Sequence, residues 1–296
     1  MRTVTKGLSA LLIGAALAVG TGTSGAAAAT GTRGLEIAVP AYVHPGEAML
    51  TGIQATHPAP SIVILNPNNG YAPFDAAWQA QADSLRTATT ATGGHTKVIG
   101  YVDTNRTLRP IADVKATVDN YLRTGDHKLH VDGIFFDQSG RDCGTDNVTR
   151  DYYAELRAYV QNAVYALDPQ AEELVVDNPG TAVADCYLEP GHRTADTFVT
   201  FEGSYAAYTG GGWLGGNVFN YNVGYYSGAA LDPSGTAFWH LVHAAPNAEA
   251  STTALDTAFT RGAGYAYVTD DVMDNPWDAA PSWGFQSETS HAATLG

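Results

Sequence analysis

Two carboxylates that each end an apolar run are the residues of this chain best suited to acid–base chemistry. Asp137 follows residues 133–136 in the stretch "GIFFDQSG", and Glu202 follows "VTF" in "VTFEG". Glutamate is not among the residues that favour turns, so a loop role explains Glu202 poorly. Two carboxylates above one cleft can hydrolyse a glycosidic bond, because one protonates the leaving oxygen while the other attacks or stabilises the oxocarbenium-like carbon.

Other residues at similar positions offer hydrogen bonds and flat apolar faces to a sugar. The candidate substrate-binding residues are Tyr42, Asn66, Asp103, Gln138, Asn178, Tyr205, Trp239 and His243. Asp and Asn also form turns and helix caps, and that alternative is strong for Asp103. We further expect the aromatic, glycine-rich segment 205–226, which includes Tyr208 and Trp213, to form one wall of a substrate groove. The alternative is that its rings pack against the rest of the protein.

Other catalytic schemes find less support in the sequence. The stretch "FEGSY" lacks the G-x-S-x-G turn that carries the nucleophile of many serine hydrolases. His240 and His243 stand three apart in "HLVH", and a strand directs residues at that spacing to opposite faces, which argues against a shared metal ion. We therefore expect neither a metal nor a cofactor.

Eight short β-rich runs must position these residues. The runs read "LEIAVPAYV", "SIVILNP", "TKVIGYVDT", "VDGIFFDQ", "EELVVDNP", "DTFVTFEG", "TAFWHLVHA" and "GYAYVTDD". Helical spacing of apolar residues marks several of the segments between them, for example residues 111–122, residues 156–167 and, more weakly, residues 74–85. The second of these should end at Asp168-Pro169.

Buried strands that alternate with helices pair in parallel, because parallel neighbours need a crossover connection. Eight such units predict an α/β protein with a closed (β/α)8 TIM-type barrel, whose chemistry gathers at the C-terminal strand ends. Glycine-rich segments predict irregularity after the fifth and sixth strands. An open doubly wound sheet is the alternative, but "YVHPGEA" after the first run supplies no glycine-rich phosphate loop. Simple alternation would place Phe198, Thr200 and Glu202 on one face of the sixth strand.

The first 29 residues have the pattern of a secretory signal peptide. Arg2 and Lys6 precede the apolar stretch "LSALLIGAALAVG" and the small residues of "SGAAAAT". The alternative is a retained membrane anchor, which the short apolar stretch disfavours. We predict a secreted, extracellular monomer whose residues 30–296 form one barrel domain and which leaves the membrane once the signal is cleaved.

Charge and cysteine content narrow the possible partners. The net charge of −15 argues against nucleic acid and against anionic membrane surfaces, since both attract basic patches, and it is compatible with a cationic substrate. Cys143 and Cys186 are the two cysteines. Outside the cytoplasm such a pair indicates a disulfide, and neither cysteine has further ligands at zinc spacing.

Six motifs in order, "VPAYVHP", "ILNPNNG", "GYVDTNR", "VDGIFFDQ", "VVDNPG" and "FEGSY", resemble the spherulation-specific (spherulin-4-like) family, which includes glycoside hydrolase family 135. The resemblance runs from about residue 35 to residue 271. It implies an eight-stranded β/α barrel and endo-acting cleavage of α-1,4-linked galactosamine or N-acetylgalactosamine polymers such as galactosaminogalactan, a component of microbial biofilm matrix. The family ends its fourth strand in Asp-Glu and its sixth in Glu. Asp137 and Glu202 match, whereas Gln138 replaces the family's second acid.

The first hypothesis is therefore a secreted glycoside hydrolase that acts on an extracellular polysaccharide. Asp137 would be the nucleophile or charge stabiliser and Glu202 the acid, with the reverse order left open. The alternative is a non-catalytic polysaccharide-binding barrel in which Gln138 marks a degenerate site. A hydrolase for another glycan is a third reading, because a fold does not fix a substrate.

Overall fold

The computed structural model describes residues 34–123, 126–189, 191–210 and 237–295. Within these ranges a closed barrel forms from eight parallel strands that neighbour one another in chain order. The strands are β1 (Glu36–Ala41), β2 (Ile62–Leu65), β3 (Lys97–Asp103), β4 (Gly133–Asp137), β5 (Leu174–Asp177), β6 (Thr197–Ser204), β7 (Ala237–His243) and β8 (Tyr265–Val268). The predicted signal segment and Trp213 lie outside the described residues.

Within the same ranges, six α-helices lie between strands and a seventh follows the last strand. They are α1 (Ala48–Gln54), α2 (Ala76–Leu85), α3 (Ile111–Leu122), α4 (Val148–Leu167), α5 (Tyr205–Gly210), α6 (Ala248–Thr260) and α7 (Phe285–Ala292). The predicted TIM-type barrel, with each of its eight strands, is confirmed. No helix in the described part of the chain is long and apolar enough to cross a membrane.

Apolar patterning explains why these segments take these forms. Every residue of β2 and β5 is buried, as expected for parallel strands that helices cover on one side and the barrel interior fills on the other. Helix α3 buries Val114, Val118 and Leu122 on one face, which matches its predicted helical spacing. Helix α4 ends at Leu167, directly before Asp168-Pro169, where proline disfavours a continued helix.

The connection between β5 and β6 departs from the regular pattern, as the glycine content predicted. Its described residues contain a single 3-10 turn, Asp185–Tyr187, in place of an α-helix. Cys186 in this turn forms a disulfide with Cys143 in the loop after β4, and their Cα atoms lie 6.1 Å apart. The predicted disulfide is therefore confirmed, and it ties together two adjacent loops at the C-terminal end of the barrel.

A β-bulge in β6 corrects the simple alternation expected from the sequence. Pairing with β7 steps from Val199–Trp239 to Phe201–His240, so β6 contains one extra residue. Before the bulge Phe198 points outward and packs its ring on Tyr187. After it, Glu202 pairs with the inward-facing Leu241 position. The expectation that Phe198 and Glu202 share a face was wrong, because a bulge reverses the phase of a strand.

Candidate active site

Asp137 ends β4 and is hydrogen-bonded from two neighbouring strands. Its pairing partner on β3 is Asp103, and the same inner face of β3 carries Tyr101 two residues earlier. The Tyr101 hydroxyl donates a hydrogen bond to Asp137 Oδ2. The backbone carbonyl of Asp137 accepts bonds from the amide of Thr104 at 3.1 Å and from its hydroxyl at 2.8 Å. Both the backbone and the side chain of Asp137 are thus fixed.

Asn178 joins Asp137 to Glu202 through a single amide group. Its Nδ2 lies 2.7 Å from Asp137 Oδ1 and 2.8 Å from Glu202 Oε2. Its Oδ1 accepts a bond of 2.8 Å from the Gly180 amide, which fixes the orientation of the side chain. The φ of Gly180 is 64°, a conformation that glycine adopts without strain, and the Gly180 carbonyl accepts a 3.1 Å bond from the Glu202 amide.

Trp277 completes the surroundings of Glu202. It lies in the loop after β8, and its Nε1 donates to Glu202 Oε1 at 3.2 Å. The indole is buried, and its ring packs edge-on against His243 and at a tilt against Tyr267. Each oxygen of Glu202 therefore accepts one bond from a side chain of a different loop.

The two carboxyl groups lie close together. Because the bonded oxygens lie 2.7 Å and 2.8 Å from the same nitrogen, their separation cannot exceed the sum of these distances, about 5.5 Å. This upper limit lies below the separation of inverting glycosidases, about 6.5–9.5 Å, and agrees with the shorter separation of retaining ones, about 5–5.5 Å.

Burial raises the pKa of both carboxyl groups, and different sets of hydrogen-bond donors oppose the rise. Burial raises the pKa of Glu202 to about 7, the nearby Asp137 charge adds to the rise, and the bonds from Asn178 and Trp277 limit it. Burial also raises the pKa of Asp137, but three donors oppose that rise: the Tyr101 hydroxyl, the Gln138 amide and the Asn178 amide. Hydrogen bonds to a carboxylate favour its ionised form, so the additional donor favours Asp137 as the anion and Glu202 as the group that carries a proton near neutral pH.

Two cavities meet at Glu202. The first, of about 650 Å³, contains Asp137, and we call it the acidic cavity. Its lining includes Tyr42, Asn66, Asp137, Glu202, Asp274 and Trp277. The second, of about 700 Å³, contains two arginines, and we call it the basic cavity. Its lining includes Arg106, Ser139, Arg141, Asp142, Glu202 and His243. Met273 and Pro276 of the loop after β8 border both cavities.

Several predicted substrate residues lie at these cavities. Tyr42 and Asn66 line the acidic cavity, and the Tyr42 ring packs edge-on against Tyr101 at 5.4 Å. Asn66 also caps its own loop, since its Oδ1 accepts a 2.6 Å bond from the Asn69 amide. His243 lines the basic cavity. It faces away from its neighbour His240, which is buried against Tyr208 outside the barrel, as the strand spacing predicted.

Other predicted substrate residues serve the fold or stand apart. Asp103 accepts a 2.9 Å bond from the Asn105 amide, which is the turn-forming role held as its alternative. The Gln138 side chain is exposed, and Tyr205 begins α5 as a partly buried residue. Neither residue is among those that line the two cavities.

The structure places Trp239 and Tyr208 in the core, contrary to their predicted contact with substrate. Trp239 is 0% exposed and packs edge-on against Phe135 inside the barrel. Tyr208 is also 0% exposed, and its hydroxyl lies 2.7 Å from Nδ1 of His240. Aromatic residues of the strands and their following segments contribute to the barrel core as well as to its mouth, and residue type alone does not distinguish the two positions.

Sequence reasoning missed four residues at the site. Tyr101 could have been found, because alternation along β3 puts it on the same face as Asp103. Trp277 gave a weaker signal, a tryptophan in the long polar loop "MDNPWDAAPSW". Arg106 and Arg141 gave none, because each stands singly in a loop far from the other in sequence.

Comparisons with known proteins agree with this barrel. A sequence model of the spherulation-specific family 4 matches residues 36–290. Spherulin-4 of Physarum polycephalum is 26% identical over 164 residues, which are 54% of this chain but 43% of that protein. The chain thus matches less than half of spherulin-4.

Two solved structures show the same fold. Sph3 of Aspergillus clavatus, solved in complex with GalNAc, has a TM-score of 0.64 at 20% identity and covers 88% of this chain and 98% of its own. The endo-beta-1,4-mannanase of Thermotoga petrophila has a TM-score of 0.52 at 10% identity, with 89% and 77% covered.

Proposed function

Because the chain belongs to the spherulation-specific family 4, which it matches over residues 36–290, we propose that it is a secreted glycoside hydrolase. The proposed substrate is an extracellular polysaccharide of α-1,4-linked galactosamine or N-acetylgalactosamine, cut within the chain. The observation that carries this proposal is the single Asn178 amide nitrogen that bonds two partly buried carboxylates at the barrel mouth, Asp137 and Glu202.

The proposed reaction retains the configuration of the sugar. Asp137 Oδ attacks the anomeric carbon while Glu202 gives its proton to the glycosidic oxygen, so that bond breaks and a glycosyl ester forms. Glu202, now ionised, then takes a proton from water, and the resulting hydroxide displaces Asp137. The separation of at most about 5.5 Å and the smaller number of hydrogen-bond donors to Glu202 support this division of roles.

The positions of the cavities support an endo-acting enzyme. Asp137 lines the acidic cavity, whereas Glu202 lines both. The attacked sugar would therefore occupy the acidic cavity, and the leaving part of the chain would lie in the basic cavity with the acid at their junction. Open space on both sides of the cleavage point accommodates a polymer rather than only its end.

The replacement of the family's acid by Gln138 gives the binding-only alternative less support than the sequence alone suggested. Its side chain is exposed, and the Asp137–Asn178–Glu202 arrangement is complete without a carboxylate at that position. The alternative of a non-catalytic barrel remains testable, since such a protein retains the polymer without cutting it.

Two features of different kinds support the proposal that the protein is secreted. The first 29 residues have the charge and apolar pattern of a signal peptide, and the Cys143–Cys186 disulfide suits an oxidising compartment. We propose that the mature protein acts outside the cell as a monomer.

A product assay tests the proposed function. Purified α-1,4-galactosaminan, fully and partly N-acetylated, is incubated with the protein, and new reducing ends and fragment lengths are measured. We expect fragments of several sugars, with turnover lowered about 10³-fold or more in Asp137→Asn and in Glu202→Gln. Circular dichroism checks that both variants remain folded. Retention of the polymer without new ends would establish the binding-only alternative, and full turnover in Asp137→Asn would overturn the assignment.

A further inference from the structure

The basic cavity differs in charge from the rest of this acidic protein. Arg106 and Arg141 are exposed, and neither guanidinium forms a hydrogen bond or ion pair with any residue that the structure describes. Two carboxyl groups share this lining: Asp142, whose Oδ1 accepts a 3.0 Å bond from the Gly144 amide, and Glu202, the proposed acid. When Glu202 is protonated, as the proposed reaction requires, the two arginines and Asp142 leave one net positive charge in the lining, in a chain whose net charge is −15.

Two buried polar atoms in the same lining also lack partners. Ser139 is 5% exposed, and its hydroxyl makes no hydrogen bond to a described residue. Nδ1 of His243 is likewise buried and unpaired among these residues. Burial lowers the pKa of His243, so the ring is neutral near pH 7. Buried polar groups normally find partners, and leaving one unpaired is costly, which indicates that a ligand satisfies groups of this lining.

The backbone holds both arginines in place before any ligand binds. The Arg106 amide donates a 2.9 Å bond to the Gln138 carbonyl, next to Asp137. The Arg141 carbonyl accepts a 2.9 Å bond from the Ala184 amide, and the Cys143–Cys186 disulfide ties the same two loops together. Guanidinium groups on fixed backbone lose less freedom on binding than groups on a free loop.

We propose that the basic cavity binds a carboxylate-bearing sugar on the leaving-group side of the cleavage point. Guanidinium forks match the two oxygens of a carboxylate, and a serine hydroxyl adds a third donor. This inference rests on the proposed function only in that a polysaccharide spans both cavities. The acidic cavity, with Asp137 and Asp274, would receive the amino sugar instead. The substrate is then a polymer with an amino sugar on one side of the cut and an acidic sugar on the other.

Binding of two matched oligosaccharides tests the proposal without turnover. One probe is an α-1,4-galactosaminan oligosaccharide, and the other is the same oligosaccharide with part of its C6 hydroxyls oxidised to carboxylates. Affinities are measured by calorimetry at 0.15 M salt, in the Asp137→Asn background so that neither probe is cut. Asp137 does not line the basic cavity, so this background leaves its lining unchanged.

The ratio of the affinities for the two probes tests whether the cavity binds a carboxylate. We expect the oxidised probe to bind about tenfold tighter than the unoxidised one, and this ratio to be lost in Arg106→Gln/Arg141→Gln. The matched control, Arg123→Gln/Lys128→Gln, removes the same two charges from exposed positions outside both cavities and should keep the ratio. An equal affinity for both probes, no binding of either, or a ratio that survives loss of Arg106 and Arg141 would overturn the proposal.

These results separate the inference from the proposed function. A protein that produces no new reducing ends but shows the arginine-dependent ratio has the carboxylate site without the hydrolase activity. A protein that cuts galactosaminan but shows no ratio has the hydrolase activity without the site.

Discussion

The bond from Trp277 to Glu202 sets the upper pH limit of the proposed activity. Replacing Trp277 by Phe keeps an aromatic ring but removes the N–H that lies 3.2 Å from Glu202 Oε1. That N–H stabilises the ionised carboxylate, so its loss favours the protonated form and the pKa of Glu202 rises. A hydrogen bond to a charged group contributes about 1.5–3 kcal/mol, and at this length we take the lower figure. One pKa unit corresponds to about 1.4 kcal/mol, so the pKa should move from about 7 to about 8.

The pH dependence of kcat/KM measures this shift, because it reports the ionisations of the free enzyme. Activity requires a protonated Glu202, so the alkaline limb should move upward by about one pH unit in Trp277→Phe. The matched control is Trp283→Phe, which breaks a bond of the same kind, 2.9 Å from Trp283 Nε1 to Glu288, outside both cavities. Its alkaline limb should stay in place. An unmoved or downward-shifted limb in Trp277→Phe would refute the role of Glu202 as the acid.

Three further perturbations have expected outcomes. Gln138→Glu, which restores the acid that the family carries there, should preserve or raise turnover; an inactive natural protein that this change activates would instead establish the binding-only alternative. Cys143→Ser/Cys186→Ser should lower the free energy of unfolding by about 3–4 kcal/mol, because the disulfide closes a loop of 43 positions, and urea titration measures it. Asp177 is fully buried, and burial raises its pKa to about 8, so its ionisation in the unfolded chain destabilises the fold progressively as pH rises from about 4 to about 8. Asp177→Asn should therefore lose less stability between pH 5 and pH 8 than the natural protein; equal losses in urea titrations at both pH values would contradict this.

The sequence predicted the parts of the fold that repeat. Apolar runs and helical spacing are local signals, and eight of them in alternation leave few arrangements other than a barrel. Asp137 and Glu202 could be selected because each interrupts an apolar run at a strand end. The structure then brought them to the same nitrogen of Asn178, a residue that the sequence placed only among sugar-binding candidates.

What the sequence could not predict depends on positions in space or on burial. Trp239 and Trp277 have the same side chain, but one fills the barrel and the other bonds Glu202 from a loop. Arg106 and Arg141 share a cavity because strands β3 and β4 are neighbours, and 35 positions of chain separate them. No local sequence pattern indicates that two residues so far apart in the chain line the same cavity.

The bulge in β6 means that the direction of the proposed acid is set by its rung on β7 and not by its distance from the start of β6. Pairing passes from Val199–Trp239 to Phe201–His240, so the register steps over Thr200. Deleting Thr200 would put Val199 and Phe201 on consecutive rungs of a regular strand, and Glu202 would still pair with Leu241 and face the barrel interior. A relative with one residue fewer at this point would therefore keep the pair, although an alignment would show a gap two positions before its glutamate. A change of length at the bulge is thus one that this barrel can accept without losing its proposed acid.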